Sequence, residues 1–285
     1  MSVQHGFVII DKPAGITSHD VVAKLRKSLS TKRVGHAGTL DPMATGVLVC
    51  GINNATKFLD YIVQGKKRYQ ATIRLGQSTT TDDREGEVIS TASPQSMSNE
   101  EIEKTLGRFV GTIMQRPSSV SAIRIDGKRA YERVRSGEEV HLPEREVRIY
   151  SLVVNEIRRG EFIDIDIDLE CSAGTYIRSI ARDLGEKLGV GGHLTALRRS
   201  EVAPFSLDDC STLENPEVRS LVDSLIGVMP VRQVSPHEIR ELRFGRTISK
   251  SDFSEVGIAV GNGDEVIAII ANRNESAQPL TVFNS

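Results

Sequence analysis

The stretch GHAGTLDPMATGVLVCG at residues 35–51 brings together residue types that could do chemistry. Asp41 stands directly before Pro42, and His36 lies five residues earlier. Proline restricts the residue before it to extended conformations, so Asp41 cannot join a helix and its backbone is stiff. Nearby glycines permit tight bends and a close approach of the backbone. The pattern is typical either of a catalytic carboxylate held between packed elements or of a plain Asp-Pro turn.

The motifs of most cofactor-dependent and metal-dependent enzymes do not occur in the sequence. It contains no GxxxxGK[ST], GxGxxG, HExxH or GxSxG pattern. Cys50, Cys171 and Cys210 lie far apart in the sequence, which indicates neither a CxxC metal site nor a disulfide framework. A reaction that uses one carboxylate, with no cofactor and no metal, is the chemistry that remains.

A second group of carboxylates occurs in EFIDIDIDLE, where Asp164, Asp166 and Asp168 alternate with apolar residues. This alternation predicts a strand with the three aspartates on one face. Neighbouring carboxylates at this spacing lie about 7 Å apart, too far to converge on one divalent cation without other ligands. We interpret them as a solvent-facing row.

Composition predicts a soluble globular protein, which we expect in the cytoplasm and away from membranes. Of the 285 residues, 39% are hydrophobic and 26% are charged. The net charge of -2 speaks against a nucleic-acid partner, yet residues 57–74 hold five basic and one acidic side chain, and residues 116–135 hold six and two. This segregation predicts either a basic face for nucleic acid or ordinary solvated helix faces.

The elements around these residues mix strands and helices without regular alternation. Short or alternating apolar runs predict strands at FVII (7–10), VLVCG (47–51), KRYQATIRL (67–75), REVRIYSLVVNEIRR (145–159) and EFIDIDIDLE (161–170). Apolar residues at helical spacing, capping residues or basic clusters predict helices at TSHDVVAKLRKSL (17–29), SNEEIEKTLGRF (98–109), KRAYERVRSG (128–137) and GTYIRSIARDLGEKLG (174–189). We therefore expect an α+β fold with a mixed or antiparallel sheet.

A change in composition near residues 214–235 predicts a second, smaller unit. The chain after it has short strands separated by Gly, Asn, Asp and Ser, with one helix opened by Ser235 and Pro236. We expect a large domain at 1–228 and a small β-rich domain at 229–285.

Five blocks of the sequence follow one another over residues 6–208: GFVIIDKPAGITSHDVV, GHAGTLDPMATGVLVCGINNATKF, KRYQATIRLG, RPSSVSAIRIDGKRAYERVRSGEEV and CSAGTYIRSIARDLGEKLGVGGHLTALRRSEVAPFSL. In this order they resemble the TruB family of bacterial tRNA pseudouridine synthases. The resemblance implies a largely antiparallel sheet of the pseudouridine synthase type with flanking helices. It also implies isomerisation of the uridine at position 55 in the T-loop of tRNA, without cofactor or metal.

The resemblance also assigns roles to individual residues. It makes Asp41 the essential carboxylate, Tyr69 the ring that stacks on the target base and helps remove its C5 proton, and Arg178 the partner of the carboxylate. The substrate contacts that it implies are His36 in the T-loop, Tyr176 and Leu197 in the base pocket, and Lys12 near the site. Without the resemblance, Tyr69, Tyr176 and Leu197 would be core residues, Arg178 and Lys12 solvated charges, and His36 a loop histidine bonded to backbone.

One departure from the family pattern stands at Ser121-Ala122-Ile123-Arg124, where many relatives have SALK. A role for that lysine would depend on Arg124 keeping the charge. The C-terminal unit resembles a reduced PUA-like domain, which implies contacts to the acceptor stem in addition to the T-loop and T-stem. We expect a monomer.

Two other functions fit parts of the sequence. One is an RNA-binding folding factor with a catalytically idle pocket, and the other is a carboxylate-dependent N-glycosylase that releases the base. Mass analysis separates the second from a synthase, because isomerisation conserves mass.

Overall fold

The computed structural model describes residues 5–119, 124, 125, 128, 129 and 142–283. Its α-helices are α1 (Ser18–Ser28), α2 (Leu59–Val63), α3 (Asn99–Gly107), α4 (Ile177–Leu188), α5 (Leu221–Ile226) and α6 (Pro236–Arg243). The first strands are β1 (Gly6–Lys12), β2 (Val34–His36), β3 (Thr45–Ile52), β4 (Lys67–Leu75), β5 (Gln77–Thr79), β6 (Val88–Thr91), β7 (Gly111–Gln115), β8 (Arg124–Ile125) and β9 (Lys128–Arg129). The later strands are β10 (Arg145–Arg159), β11 (Ile163–Cys171), β12 (Gly192–Val202), β13 (Phe205–Ser206), β14 (Arg219–Ser220), β15 (Val231–Gln233), β16 (Ile248–Ser249), β17 (Val256–Val260), β18 (Val266–Arg273) and β19 (Ser276–Val282).

Ten strands form one mixed, largely antiparallel sheet in the order β14-β1-β3-β12-β4-β11-β10-β7, with β2 beside β3 and β13 beside β12. Its one parallel pair among the described strands joins β12 to β3, where Arg199 lies opposite Gly46. A second sheet has the order β15-β17-β18-β19-β16. These sheets and their helices confirm the α+β fold class.

Burial alternates along the strands and differs between the two halves of the large sheet. Strands β1 and β3 are buried on both faces, so that Val8 and Leu48 pack in one core cluster and Phe7 and Val47 in another. Strands β4 and β11 bury only alternate residues. Half of this sheet therefore keeps one polar face.

The three aspartates of β11 lie on that polar face in cross-strand hydrogen bonds. Asp164 accepts from Arg74, Asp166 accepts from Thr72 at 2.6 Å, and Asp168 accepts from Asn155 at 2.8 Å. Each carboxylate therefore has its own partner, as the interpretation of a polar outer row requires.

Helix starts follow the capping signals, with two differences from the predicted helices. Thr17 caps α1, and Ser235 caps α6 with Pro236 in its first turn. Helix α4 begins only at Ile177, so Tyr176 is its N-cap residue, although the predicted helix at 174–189 includes Tyr176 in its first turn. The predicted helix at 128–137 is wrong at its start, because Lys128–Arg129 pairs with Arg124–Ile125 as strands, and its remainder lies outside the described residues.

The C-terminal sheet packs against the large sheet through a shared apolar cluster. Phe7, Phe58, Ile258 and Phe283 belong to this cluster, and the rings of Phe58 and Phe283 stack with centroids 5.3 Å apart. A division of the chain at residue 228 remains a prediction. Within the described part of the chain, no helix is long and apolar enough to span a membrane.

The close approach of β12 to β3 leads to a first prediction. A Cβ at Gly46 would lie 2.1 Å from the Arg199 carbonyl oxygen, and Gly46 has φ +103. We expect Gly46→Ala to lower the free energy of unfolding by about 3 kcal/mol, measured by urea denaturation.

The control is Gly107→Ala at the end of α3, where a Cβ would meet nothing within 4 Å. This change should alter stability by no more than about 1 kcal/mol. Equal urea midpoints for the two variants would contradict the packing described for β3 and β12.

Candidate active site

A cavity of about 300 Å³ brings most of the predicted site residues together. Its lining includes five of them: Asp41, Tyr69, Tyr176, Arg178 and Leu197. The lining also contains Lys67, Arg145 and Arg199. A larger groove of about 730 Å³ lies over Gln70 and Asp166 and does not include Asp41, so the smaller cavity is the candidate site.

An ion pair between Asp41 and Arg178 lies at the wall of this cavity. The Arg178 Nε atom lies 2.9 Å from Asp41 Oδ2, and Nη2 donates to Oδ1 at 3.1 Å. The Arg178 side chain is 5% exposed, whereas that of Asp41 is 30% exposed. Two contacts from a planar guanidinium fix the plane of a carboxylate, so Asp41 is held in one orientation with an open side.

The remaining contacts of Arg178 hold it in the core. Its Nη1 atom donates to the Thr81 carbonyl at 2.8 Å and to Ser118 Oγ at 3.0 Å. The Asp83 carboxylate lies 3.6 Å from Nε, and its side chain is also 5% exposed. One buried cation is therefore shared between two carboxylates, one that faces the cavity and one that does not line it.

The loop that carries Asp41 is held by hydrogen bonds to the start of α1 and to the turn between β1 and α1. Ser18 Oγ accepts from the Leu40 amide at 2.9 Å and donates to the Leu40 carbonyl at 3.1 Å. The Gly15 amide donates to the Pro42 carbonyl at 2.9 Å. These bonds bracket Asp41 on both sides, so the loop is tied down although it has no regular structure.

Lys12 holds this loop through a hydrogen bond to Pro42 and does not line the cavity. It is fully buried, and its ammonium group donates to the carbonyls of Pro13, Ile16 and Pro42 at 2.9, 2.7 and 3.3 Å. Burial lowers the pKa of Lys12 to about 8, although the negative charge of Asp41 opposes this shift. The interpretation of Lys12 as a surface charge is wrong, because the structure buries it beneath the loop that carries Asp41.

Tyr69, Tyr176 and Leu197 form apolar walls of the cavity. Tyr69 is 8% exposed and Leu197 is 7% exposed. Gln115 exchanges two hydrogen bonds with the Tyr176 backbone, at 2.8 and 3.0 Å, and the Arg145 guanidinium lies 4.8 Å from the centre of the Tyr176 ring. Burial raises the pKa of the Tyr69 phenol. Flat rings opposite a carboxylate suit a planar ligand held close to a charged group.

His36 lies outside the cavity lining. It belongs to β2, and its ring makes an edge contact with that of His19, with centroids 5.9 Å apart. His19 is an exposed residue of α1. The structure thus places His36 at the end of β2, five residues before Asp41 and outside the cavity.

A model of the TruB family pseudouridylate synthase N-terminal domain matches residues 26–177, more than half of the chain. The chain belongs to the TruB family. A model of the tRNA pseudouridylate synthase B C-terminal domain matches residues 178–221. The boundary between the two matches falls inside α4, so it does not separate two structural units of this TruB-family protein.

Curated relatives match over nearly the whole TruB-family chain. The tRNA pseudouridine synthase B of Corynebacterium diphtheriae is 53% identical over 98% of this chain and 95% of that protein. The protein of the same name from Thermobifida fusca is 48% identical over 98% of this chain and 98% of that protein. The expected family is confirmed.

Two solved structures share the fold. One chain of an H/ACA RNP bound to a substrate RNA containing 2'-deoxyuridine has a TM-score of 0.71 at 22% identity, over 99% of this chain and 86% of that chain. One chain of a Cbf5-Nop10-Gar1 complex has a TM-score of 0.72 at 23% identity, over 99% and 85%. At these identities the likeness supports the fold class alone.

The cavity also contains three cations that are not among the residues predicted for the site, namely Lys67, Arg145 and Arg199. Burial, together with the nearby charge of Arg199, lowers the pKa of Lys67 to about 8. Alternation along the strands was an available signal, because Lys67 and Arg199 each stand two residues from a predicted site residue. Gln115, Asp83 and Arg145 had no comparable signal.

The departure at Ser121-Ala122-Ile123-Arg124 stays untested. Residues 121–123 lie outside the described part of the chain, and the same holds for most of the basic segment at 116–135. A role for Arg124 remains a prediction.

The sharing of Arg178 between two carboxylates leads to a second prediction. We expect Asp83→Asn to lower the rate of pseudouridine formation at least about tenfold, because Arg178 would lose one of its charged partners and Asp41 would lose its fixed orientation. The measurement is tritium release from uridine labelled at C5.

The control is Asp183→Asn, which removes a carboxylate from Arg182 on the same helix, where the pair distance is 2.7 Å. Arg182 also has Asp82 at 3.2 Å, so this variant should react at close to the normal rate. Equal rates for the two variants would show that the second carboxylate does not support Asp41.

Proposed function

We propose that this chain converts the uridine at position 55 in the T-loop of tRNA to pseudouridine, with Asp41 as the catalytic carboxylate. The observation that carries the proposal is the Asp41–Arg178 pair at the wall of a cavity that Tyr69 and Leu197 also line. The names of the curated relatives support tRNA as the substrate. A tRNA substrate also agrees with a cytoplasmic location.

The reaction needs a site that holds a detached base. The bond from uracil N1 to ribose C1′ breaks, the uracil turns, and C5 bonds to C1′ while the C5 proton leaves and N1 gains one. No electrons are lost or gained, so the residues present can serve without a redox group. Attack at C1′, attack at C6 and proton removal from C2′ all require an oriented carboxylate, which Arg178 provides for Asp41.

The size of the cavity supports the extrusion of one nucleotide. Ligand pockets measure about 300–1,000 Å³, and this cavity lies at the lower end with about 300 Å³. A duplex or a folded loop cannot enter such a space, so the target nucleotide must leave its stack. Tyr69 would then stack on the uracil, and the proposed role of His36 is a contact within the T-loop outside the cavity.

The rest of the proposed interface lies on the surface. We propose contacts of the C-terminal sheet unit with the acceptor stem, supported by Phe244, which is 75% exposed with the Arg246 guanidinium 5.3 Å from its ring centre. Exposed rings beside cations are typical of RNA-binding surfaces. One chain supplies all five predicted residues of the cavity, which supports action as a monomer.

The decisive variant is Asp41→Asn. The amide has nearly the same shape, so the loop should persist, but it lacks the charge that a nucleophile or base requires. We expect affinity for an unmodified tRNA transcript to stay within about tenfold of normal, while tritium release falls below detection. A folding factor with an idle pocket would release no tritium before or after the change, and its affinity for tRNA would stay the same.

The control for this variant is Asp60→Asn, an exposed aspartate of α2, which should leave both measurements unchanged. A transcript with cytidine at position 55 tests the site of modification and should release no tritium. A folded Asp41→Asn protein with normal turnover would refute the assigned chemistry, and release of free uracil would indicate a glycosylase.

Tyr69 provides a second test of the proposed site. Tyr69→Phe keeps the ring and should bind tRNA normally but react more slowly if the hydroxyl takes part in proton transfer. Tyr69→Leu removes the ring and should also weaken binding, because base stacking is worth about 1–3 kcal/mol. The control is Tyr61→Phe on α2, which does not line the cavity and should leave both measurements unchanged. Normal turnover of Tyr69→Leu would exclude the stacking role.

A further inference from the structure

Arg199 is the largest fully buried side chain of the described core, at 1% exposed. It belongs to β12 and lies directly opposite Tyr69 of β4 in the antiparallel register. Directly opposed residues on one sheet face have Cβ atoms about 4.5–5.5 Å apart. Both side chains line the cavity that contains Asp41.

The guanidinium of Arg199 links the loop of Asp41 to the central strands of the sheet. Its Nε atom donates to the Val47 carbonyl of β3 at 2.8 Å, and Nη2 donates to the Gly38 carbonyl at 3.0 Å. Gly38 lies three residues before Asp41 in the same loop. The Arg199 side chain therefore contacts both β3 and the loop of Asp41, and its position on β12 places it beside Tyr69.

Arg199 differs from the other buried arginine of the cavity in its partners. Arg178 is paired with Asp41, whereas no carboxylate among the described residues forms an ion pair with Arg199. A buried cation without a paired carboxylate is costly to the fold, and hydrogen bonds to carbonyls offset only part of that cost. A neutral side chain of similar length would fill the same space at lower cost.

We propose that Arg199 is a positioning residue of this site, which holds the Tyr69 hydroxyl and the loop of Asp41 in a fixed mutual position. It acts through these two residues and does not itself touch the uracil. This inference rests on the proposed function of Asp41 and Tyr69. The charge of Arg199 has a second effect, because it opposes the rise that burial causes in the pKa of the Tyr69 phenol.

A double-mutant cycle tests the link between Arg199 and the Tyr69 hydroxyl. Arg199→Lys keeps the charge but cannot reach three groups at once, and we expect it to lower kcat about tenfold with little change in KM. In a Tyr69→Phe background the same change should lower kcat by less than about threefold, because coupled neighbours are not additive. Equal losses in both backgrounds would overturn the proposal.

The matched control is Arg198→Lys, one residue earlier on the same strand. Arg198 pairs with the exposed Asp11 at 2.7 Å and does not line the cavity of Asp41. We expect normal kcat from this variant in both backgrounds. A loss as large as that of Arg199→Lys would mean that any change in β12 disturbs the site, and the proposal would fall.

A spectroscopic titration gives a readout that needs no activity. The absorbance of tyrosinate, taken as the difference between the protein and its Tyr69→Phe form, reports Tyr69 alone. We expect the pKa of Tyr69 to rise in Arg199→Met, since the neighbouring positive charge is lost. An unchanged Tyr69 titration would overturn the proposal even if Asp41→Asn behaves as expected.

The two proposals can fail separately. If Asp41→Asn retains turnover, the proposed function is wrong, whatever Arg199 does to Tyr69. If Asp41→Asn is inactive and the cycle shows no coupling, only the role of Arg199 is wrong. Failure of Arg199→Lys to fold at the assay temperature would also overturn that role, because Arg199 would then be required by the core itself.

Discussion

A buried guanidinium needs acceptors for its N–H groups, and Arg178 obtains them from three separate parts of the chain. These are the Asp41 loop, the turn that contains Thr81 and Asp83, and Ser118 beyond β7. Loss of any acceptor would leave a buried charge partly unsatisfied, which is costly. The same requirement that stabilises this region therefore brings a carboxylate to the wall of a cavity.

The position of Arg178 depends in turn on α4 and its packing against the sheet. Ile177, Ile180 and Leu184 bury one face of this helix in the main core cluster. Gln115 fixes the residue before the helix through two backbone hydrogen bonds to Tyr176. Because both the buried face and the start of α4 are fixed, Arg178 in its first turn is held in one position.

Much of this fold could be predicted from the sequence because the relevant signals are local. Strict alternation in KRYQATIRL placed Tyr69 on the buried face, and capping residues marked the start of α1 and α6. The start of α4 was missed because Tyr176 carries no capping side chain, so nothing in the local sequence distinguishes it from a helical residue. The start of the segment at 128–137 was misread since a basic helix and a two-residue strand pair can have the same composition.

The site was less predictable, for a different physical reason. Asp41 and Arg178 stand far apart in the sequence, and their contact follows from the strand order β3-β12-β4-β11, which composition does not reveal. Family resemblance supplied that pairing. It did not supply Gln115, whose amide bonds to the Tyr176 backbone, or Asp83, whose carboxylate also pairs with Arg178 but does not line the cavity.

The distribution of charge explains how a chain with net charge -2 can offer a site to RNA. The carboxylates of Asp164, Asp166 and Asp168 are paired across strands on the polar face of β11, so each has its own partner outside the cavity. The cavity lining holds the basic residues Lys67, Arg145, Arg178 and Arg199 with Asp41 as its acidic residue. The aspartates stand on β11, whereas the cations of the cavity come from β4, β10, β12 and α4. A local field of this kind attracts a phosphate backbone irrespective of the sum over the whole chain.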